Sequence, residues 1–323
     1  MHLPFQLAQA IQQEIENVDR AALIQAAAQL TQHYRAGHFS ALAIKTTAHR
    51  AAYLAVRFPA TFAASWRAFS EVRRLAPEVE IKSILDLGSG PGTAVCAAAE
   101  VFPSVGLATM VEANRALIAL GRRITAQSPH AAVRSANWIQ QDVQQSLSCE
   151  PHDLVVASYV LHELPLASAR QAVLAAWQCT KEFLVIVEPG TMRGFTFVAL
   201  MRSMLINTGA YILAPCPHAL ECPMAVMGDW CHFAQRLERT SLHREIKGGT
   251  LGYEDEKFSY VVFSRKPLTA AAARIVGRPQ KHGSHVHLTL CTPAGLSNQT
   301  VTKSQKETYK LARAAAWGDP WET

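Results

Sequence analysis

The 323-residue sequence lacks any apolar run near the roughly 18 residues that a membrane-spanning helix needs, and only 17% of its residues are charged. Residues 1–5 do not have the charged-then-apolar layout of a secretory signal. Nor is the layout that of an Arg-rich, acid-poor transit peptide, because Glu14, Glu16 and Asp19 come early. We therefore expect a cytoplasmic protein. With 49% hydrophobic residues, the chain can build a sizeable core in one or two domains.

Two common nucleotide-binding motifs are missing around a prominent glycine-rich turn. Residues 84–93 read Ile-Leu-Asp-Leu-Gly-Ser-Gly-Pro-Gly-Thr, so an apolar run ends in an acid and three glycines follow. No Gly-Lys-Ser/Thr comes after them, which excludes a phosphate-binding P-loop. A threonine stands where the dinucleotide fingerprint needs its third glycine, which disfavours NAD. The pattern predicts a strand, a tight turn and a helix whose first N–H groups face a ligand.

This glycine loop, with Asp86, Gly88, Gly90 and Gly92, resembles the first motif of class I methyltransferases that use S-adenosylmethionine (SAM). In those proteins the loop packs against the amino-acid end of SAM. The resemblance implies a Rossmann-like α/β fold and a SAM site at the loop. A glycine-rich turn without a ligand is the simpler alternative.

Downstream of the loop, strand-like and helical segments alternate, which predicts a parallel sheet wound on both faces. Ligands bind such sheets at the carboxyl ends of the strands, where Glu112, Asp142 and Ser158 fall in order. We expect Glu112 to accept hydrogen bonds from the ribose hydroxyls and Asp142 to meet the adenine amino group. Ser158, Tyr159 and His162 should lie near the substrate or the methyl group. The predicted strands are 84–87, 106–112, 137–140, 154–158 and 183–187.

Two further regions flank this predicted methyltransferase domain, which we place at residues 79–265. Residues 1–78 have helical periodicity, with one helix ending before Pro59 and another beginning at Phe62. Residues 266–323 form a basic C-terminal extension. From residue 264 onward there are nine Lys or Arg against three Asp or Glu, so the whole formal net charge of +6 sits there. Such an extension suits an acidic partner, most commonly nucleic acid, and it suits equally well a solvated tail that aids solubility.

Four of the seven cysteines form a spaced set, Cys216, Cys222, Cys231 and Cys291, beginning in an insert at about residues 209–235. Disulfides are not expected in a cytoplasmic chain. The tight C-x2-4-C pairs typical of zinc sites are absent, although spacing alone leaves zinc open. Four thiolates can equally hold an iron–sulfur cluster, since the loops around such clusters are often rich in proline, as this segment is. His218 or His232 could replace one thiol. The remaining cysteines, at 96, 149 and 179, are interpreted as structural.

No catalytic motif accompanies the predicted SAM site. The N/D-P-P-F/Y loop that goes with attack by an adenine amino group is absent after the fourth strand, and no cysteine motif suits attack at pyrimidine C5. Methyl transfer needs mainly alignment of the nucleophile with the methyl group, sometimes with a base. Glu188 and His162 are both open as that base.

Several stretches together resemble the methyltransferase-like protein family of the small ribosomal subunit, known best from mitochondria and with bacterial relatives. The resemblance runs from about residue 40 to the C-terminus, and its most specific part is the cysteine segment. The stretches are residues 85–92, 187–195, 215–223, 229–233, 258–265 and 285–291.

This resemblance implies a class I methyltransferase fold, bound SAM, and a [4Fe–4S] cluster on Cys216, Cys222, Cys231 and Cys291. It also implies association with the small ribosomal subunit and its rRNA during assembly. The lack of a transit-peptide layout indicates a bacterial, cytoplasmic member, which we expect to be a monomer off the ribosome. Three hypotheses follow: an rRNA methyltransferase, a non-catalytic assembly factor that binds SAM, and a small-molecule methyltransferase with a zinc-stabilised insert. The basic extension and the cysteine set disfavour the third.

Overall fold

The structure is a computed structural model that describes residues 1–35, 44–145 and 149–322. Part of the predicted helical region, residues 36–43, lies outside the described residues. Within the described residues, no helix has both the length and the apolarity to cross a bilayer.

The N-terminal region is helical, as predicted, but its long helix does not stop at Pro59. Helix α3 runs directly through a π-helical turn into α4, so the helical path is continuous from Thr47 to Leu75. Proline normally clashes with the carbonyl four residues earlier. Here the preceding turn is wider, because the Phe58 N–H donates to the Tyr53 carbonyl, five residues back. The helices of this region are α1 Phe5–Glu16, α2 Arg20–Arg35, α3 Thr47–Ala52 and α4 Phe58–Leu75, with the π turn at Tyr53–Arg57.

The central sheet has eight strands in the order β3-β2-β1-β4-β5-β8-β6, with β7 also paired to β8. The first five strands are mutually parallel, and β8 runs antiparallel between β5 and β6. The chain adds β2 and β3 on one side of β1 and then places β4 and β5 on its other side. The gap between β1 and β4 is therefore the topological switch point of a doubly wound sheet. The five predicted strands are all present, with ends shifted by up to three residues. The strands are β1 Ser83–Leu87, β2 Leu107–Glu112, β3 Asn137–Gln140, β4 His152–Ser158, β5 Thr180–Pro189, β6 Tyr211–Ala214, β7 Phe233–Glu238 and β8 Tyr253–Ser264.

Helices cover both faces of this sheet, and β1 and most of β4 are buried. Apolar side chains of β1 and β4 alternate between two cores, so that Ile84 packs with α4 while Leu85 packs with the helix after β4. This is the Rossmann-like class I SAM methyltransferase fold that the sequence predicted. Its helices are α5 Thr93–Val101, α6 Arg115–Thr125, α7 Ala131–Arg134, α8 Leu166–Gln178, α9 Met192–Asn207, α10 Pro223–Val226 and α11 Ser241–Lys247, with a 3-10 turn at Leu161–Glu163.

The basic C-terminal extension folds as a second sheet rather than trailing as a solvated tail. It has five strands in the order β10-β11-β9-β13, with β12 also paired to β11. Val286, Leu288 and Leu290 alternate inward along β11 and form a separate apolar core under helix α12. The elements are β9 Ala273–Ile275, β10 Gln280–Lys281, β11 His285–Thr292, β12 Gly295–Thr302, α12 Lys306–Ala314 and β13 Pro320–Trp321.

A buried arginine joins the two sheets. Arg274, on β9, is 1% exposed and donates to the Glu71 carboxylate of α4 at 2.8 Å. The same guanidinium donates to the carbonyls of Pro215 at 3.0 Å and Gly318 at 3.0 Å. Strand β9, helix α4 and the cysteine-bearing segment after β6 are therefore held by one side chain.

The expectation that the chain contains no disulfide was wrong for one pair. Cys149 and Cys179 are bonded to each other, with their Cα atoms 6.3 Å apart. Cys149 precedes β4 and Cys179 precedes β5, and these neighbouring parallel strands bring the two side chains together. Neither composition nor the expected cell compartment indicates that these two cysteines are close. Their proximity follows from the pairing of β4 with β5.

Candidate functional site

The glycine loop lies at the end of β1, on the rim of a pocket of about 1030 Å³. Gly88, Gly90 and Gly92 all have positive φ, at 68°, 55° and 86°. At Gly88 a Cβ atom would also lie 2.4 Å from Cγ2 of Val160, so only glycine fits. Gly88 and Gly90 line the pocket, whereas Gly92 is the N-terminal cap of α5 and packs against Met110.

Glu112 closes β2 and ties the loop to it. Its Oε2 accepts the Gly90 N–H at 2.8 Å, and its Oε1 accepts the Asn114 N–H at 2.7 Å. Burial raises the pKa of Glu112, against the opposing effect of these backbone donors. A carboxylate has about four lone pairs, so capacity for two ribose hydroxyls remains at the pocket wall.

Two of the other predicted SAM-site residues also line this pocket. Asp142 follows β3 and accepts the Gln144 N–H at 2.9 Å. Ser158 ends β4, and its hydroxyl pairs with that of Ser65 on α4 at 3.0 Å. The structure thus brings both residues to the rim of the sheet where the glycine loop lies.

Asp86 is placed differently, because it is buried in β1 and is not part of the pocket lining. Its Oδ2 finds no hydrogen-bond partner among the described residues. Burial, helped by repulsion from Glu112, raises the pKa of Asp86 to about 8. The carboxyl group therefore keeps its proton at neutral pH. It lies in the interior at the end of β1, beneath the glycine loop.

Beyond β4, the side chains of His162 and Glu188 form a dyad. Glu188 is fully buried, and its Oε2 lies against Nδ1 of His162. Its Oε1 accepts the Leu161 N–H at 2.8 Å, which fixes the carboxylate. Burial lowers the pKa of His162, but the charge and hydrogen bond of Glu188 outweigh it, so the pKa is raised. His162 lines the pocket and Glu188 does not, so the imidazole is the group available as a base.

Sequence reasoning placed Tyr159 near the pocket but missed Arg57 and Glu256, which meet it there. The Tyr159 hydroxyl donates to Glu256 of β8 at 2.8 Å, and Arg57 of the π turn lies 3.8 Å from the same carboxylate. Tyr159 holds a positive φ of 58°, which is uncommon for a residue with a Cβ. Arg57 and Glu256 are about 200 residues apart, and no local pattern indicated that they meet.

The four predicted metal-binding cysteines line a second cavity, between the two sheets. Cys216, Cys222 and Cys231 come from the segment between β6 and β7, and Cys291 comes from β11. Burial, helped by nearby Cys216 and Cys222, raises the pKa of Cys291 to about 12. Burial also raises the pKa values of Cys216 and Cys231.

Two arginines that the sequence analysis did not identify share this cavity. Nε of Arg202 and Nη2 of Arg274 are buried and have no partner in the described parts of the chain. Nη2 of Arg202 is held by backbone, since it donates to the carbonyls of His218 at 2.8 Å and Leu220 at 2.7 Å. Unpaired buried donors are costly, so the cavity is chemically suited to an anionic group.

The two histidines considered as substitute ligands occupy different positions. His218 approaches the cysteines, with Nε2 3.7 Å from Sγ of Cys291. His232 instead packs between the rings of Trp230 and Trp317, with centroid distances of 5.4 Å and 4.5 Å. His218 is therefore next to the cysteine cavity, whereas His232 serves an aromatic stack.

Several solved structures align with part of this chain. Magnesium protoporphyrin IX methyltransferase of Synechocystis, with bound SAM, aligns with a TM-score of 0.40 and 12% identity over 62% of this chain and 79% of that one. A putative RNA methyltransferase of Pyrococcus horikoshii aligns with a TM-score of 0.38 and 14% identity, over 62% and 79%.

Sequence relatives are more specific. The chain is 29% identical over 286 residues to human ribosome assembly protein METTL17, mitochondrial, covering 83% of this chain and 61% of that protein. It is 25% identical over 227 residues to ribosome assembly protein RSM22, mitochondrial, of Saccharomyces cerevisiae, covering 48% and 36%. The chain thus spans 61% or less of the length of these two relatives. The family model described as mitochondrial small ribosomal subunit Rsm22 matches residues 47–322. On that match, the chain belongs to the Rsm22 family.

Proposed function

We propose that this protein binds SAM in the pocket beside the glycine loop and acts in the assembly of the small ribosomal subunit, where it contacts rRNA. The observation that carries the proposal is the convergence of the glycine loop and Glu112 on one large pocket, in a chain of the Rsm22 family. Two of its relatives are named ribosome assembly proteins. A bacterial cytoplasmic location and a monomeric state remain predictions.

The size and charge of the pocket suit SAM together with a second group. Its volume of about 1030 Å³ lies at the upper end of the range for ligand pockets, so a nucleobase or a protein side chain has room beside the cofactor. SAM carries a sulfonium and an ammonium against one carboxylate. The pocket lining has five carboxylate side chains that suit these cations, Glu112, Asp142, Glu163, Asp255 and Glu256. It also has three cationic side chains that suit the carboxylate of SAM, Arg57, Arg193 and Lys257.

The second sheet supports the proposed contact with rRNA. Most of its cations are exposed, in contrast to the buried Arg274. Phosphate contacts from exposed Lys and Arg supply sequence-independent affinity and release counterions. The exposed cations are Arg278, Lys281, Lys303, Lys306, Lys310 and Arg313.

We further propose that Cys216, Cys222, Cys231 and Cys291 hold a [4Fe–4S] cluster. Four thiolates are a complete set of ligands for such a cluster. When bound, the cluster would link the segment between β6 and β7 to strand β11. The unpaired N–H groups of Arg202 and Arg274 would then face an anionic group instead of remaining unsatisfied.

The spacing of the cysteines favours a cluster over a single zinc ion. Bonds of 2.3 Å in a tetrahedral zinc site hold sulfur atoms about 3.8 Å apart. Among the described residues, no three of these sulfurs lie within 4.8 Å of one another. A four-iron cluster is larger than one ion and keeps its cysteine sulfurs further apart.

Methyl transfer is a second candidate function, and the His162–Glu188 dyad favours it. The cofactor, when bound, supplies an electrophilic methyl group on its sulfonium. A nucleophilic nitrogen or oxygen of the target would take that methyl as the carbon–sulfur bond breaks. Nδ1 of His162 is engaged by Glu188, which leaves Nε2 to accept the proton released by the nucleophile.

Calorimetry of SAM binding tests the first half of the proposal. Glu112→Gln keeps an acceptor for the Gly90 N–H but removes the charge, and a charge-assisted hydrogen bond contributes about 1.5–3 kcal/mol. We expect binding about 10- to 100-fold weaker in this variant. Glu100→Gln, which changes a carboxylate paired with His130, is the matched control and should bind normally. Absence of SAM binding by the wild type contradicts the proposal.

Co-sedimentation with small-subunit particles tests the second half. We expect binding to particles that lack the endogenous protein, and a steep loss of it as salt increases. A lysine-to-glutamine variant of exposed Lys303 and Lys306 should bind more weakly and respond less to salt. A flat salt response would indicate contacts with ribosomal protein instead of RNA.

A further inference from the structure

Three histidines of the C-terminal sheet lie together on its surface, well away from the cysteine cavity. Ring nitrogens of His282, His285 and His287 all lie within 4.8 Å of one another. The ring centroids of His282 and His285 are 4.7 Å apart, and those of His285 and His287 are 4.6 Å apart. His287, the nearest of the three, precedes Cys291 by four residues on the same strand, which separates their Cα atoms by about 13 Å.

Strand register fixes this arrangement. His285 and His287 are two residues apart on β11, so their side chains share one face of the sheet. His282 follows β10, and its N–H donates to the His285 carbonyl at 2.9 Å across a turn of Gly283 and Ser284. The hairpin therefore brings the third imidazole to the first two.

Neighbouring hydroxyl groups engage one nitrogen of two of these rings. Nδ1 of His287 lies 2.8 Å from Oγ1 of Thr300, which is its direct cross-strand partner on β12. Nδ1 of His285 lies 3.1 Å from Oγ of Ser284. When each Nδ1 carries the proton and donates it, Nε2 keeps its lone pair. Histidines that bind metals have this arrangement, with the second nitrogen donating to a neighbouring acceptor.

We propose that His282, His285 and His287 bind one divalent transition-metal ion of the zinc class. Three neutral imidazoles, without thiolate or carboxylate, are ligands that zinc, nickel and copper accept. Zinc–nitrogen bonds of 2.0–2.1 Å in a tetrahedral site place the nitrogens about 3.4 Å apart. The imidazoles therefore close in by about an ångström on binding. The fourth position is left for water or an exchangeable ligand, and the ion ties the turn after β10 to strand β11.

Zinc titration of the full chain, with its cysteine centre reconstituted beforehand, tests this site. A competing chromophoric chelator at neutral pH should report one zinc ion bound by the wild type in addition to any metal at the cysteines. His285→Ala and His287→Ala should each weaken that binding by about 100-fold. Thr300→Val, which removes only the partner of Nδ1, should weaken it by about 10-fold. His130→Ala, which removes a histidine paired with Glu100, should leave it unchanged.

Cobalt(II) identifies the ligands. In the wild type we expect the visible bands of four-coordinate cobalt without the intense near-ultraviolet band of thiolate-to-cobalt charge transfer, and loss of those bands in the two alanine variants. Three outcomes overturn the proposal: no additional zinc in the wild type, equal zinc affinity in both alanine variants, or a thiolate charge-transfer band from the added ion.

Discussion

Replacing Arg274 by methionine should destabilise the protein more than any change of an exposed cation. The substitution keeps an unbranched apolar side chain but removes the donors to Glu71, Pro215 and Gly318. Burial raises the pKa of Glu71, but the charges of Arg274, Arg74 and Arg67 outweigh it, so the pKa lies below its ordinary value and the group is ionised. The variant therefore leaves a buried carboxylate with fewer partners.

The magnitude follows from what remains at Glu71. Removing one partner of a buried ion pair costs about 3–5 kcal/mol. Arg74 stays 3.1 Å and Arg67 stays 3.6 Å from the carboxylate, and both are about one-third exposed or less. Because these two arginines still partly compensate the charge of Glu71, we expect a loss of unfolding free energy near the lower end of that range, about 3 kcal/mol.

Urea unfolding of the full chain measures this loss, and an exposed pair gives the control. Arg236 pairs with Asp255 at 2.8 Å, but the two side chains are 58% and 42% exposed. Arg236→Met should cost less than about 1 kcal/mol. In the double variant Glu71→Met/Arg274→Met, the cost should be smaller than the sum of the single costs by about 0.5–3 kcal/mol. A loss below 1 kcal/mol for Arg274→Met, equal to that of the control, would refute this account of the joint between the sheets.

Three further outcomes are expected. Cys222→Ser should lose iron and acid-labile sulfide from the purified protein, and should weaken small-subunit binding more than SAM binding; equal losses of both would contradict a structural role for the cluster. Gly88→Ala should abolish SAM binding, measured by calorimetry, because its Cβ would lie 2.4 Å from Val160 and its φ is 68°; retained affinity would contradict the geometry of the loop. Asp86 keeps its proton to about pH 8 when folded but loses it near its ordinary pKa when unfolded, so wild-type stability should fall as pH rises through this window. Asp86→Asn should remove that fall in unfolding experiments from pH 5 to pH 8, and an unchanged slope would argue that Asp86 is ionised in the native state.

Features with a local sequence signal were predicted well. The strands around the glycine loop were found because apolar runs alternate with helical periodicity, and the loop itself because only glycine tolerates its φ values. Glu112 was found by its position at the end of the second strand. The cysteine set was found by composition and resemblance, and the structure places all four side chains around one cavity.

What the sequence did not reveal depends on long-range packing. Arg57 belongs to a region for which the sequence predicted only helices, and it lines the pocket from the π turn before Pro59, which is part of a continuous helix. Arg274 was counted as one charge of a basic extension, although it is buried between two sheets. Asp86 was expected at the ligand, but the pleat of β1 turns it into the protein interior.

The most direct test of the central claim uses small-subunit particles from cells that lack this protein. The purified protein and methyl-labelled SAM are added, and the particles are separated on a sucrose gradient. The account predicts that protein and label sediment together with the particles, either as bound SAM or as a methyl group on one rRNA nucleotide. Protein and label that both stay at the top of the gradient, away from intact particles, would contradict it.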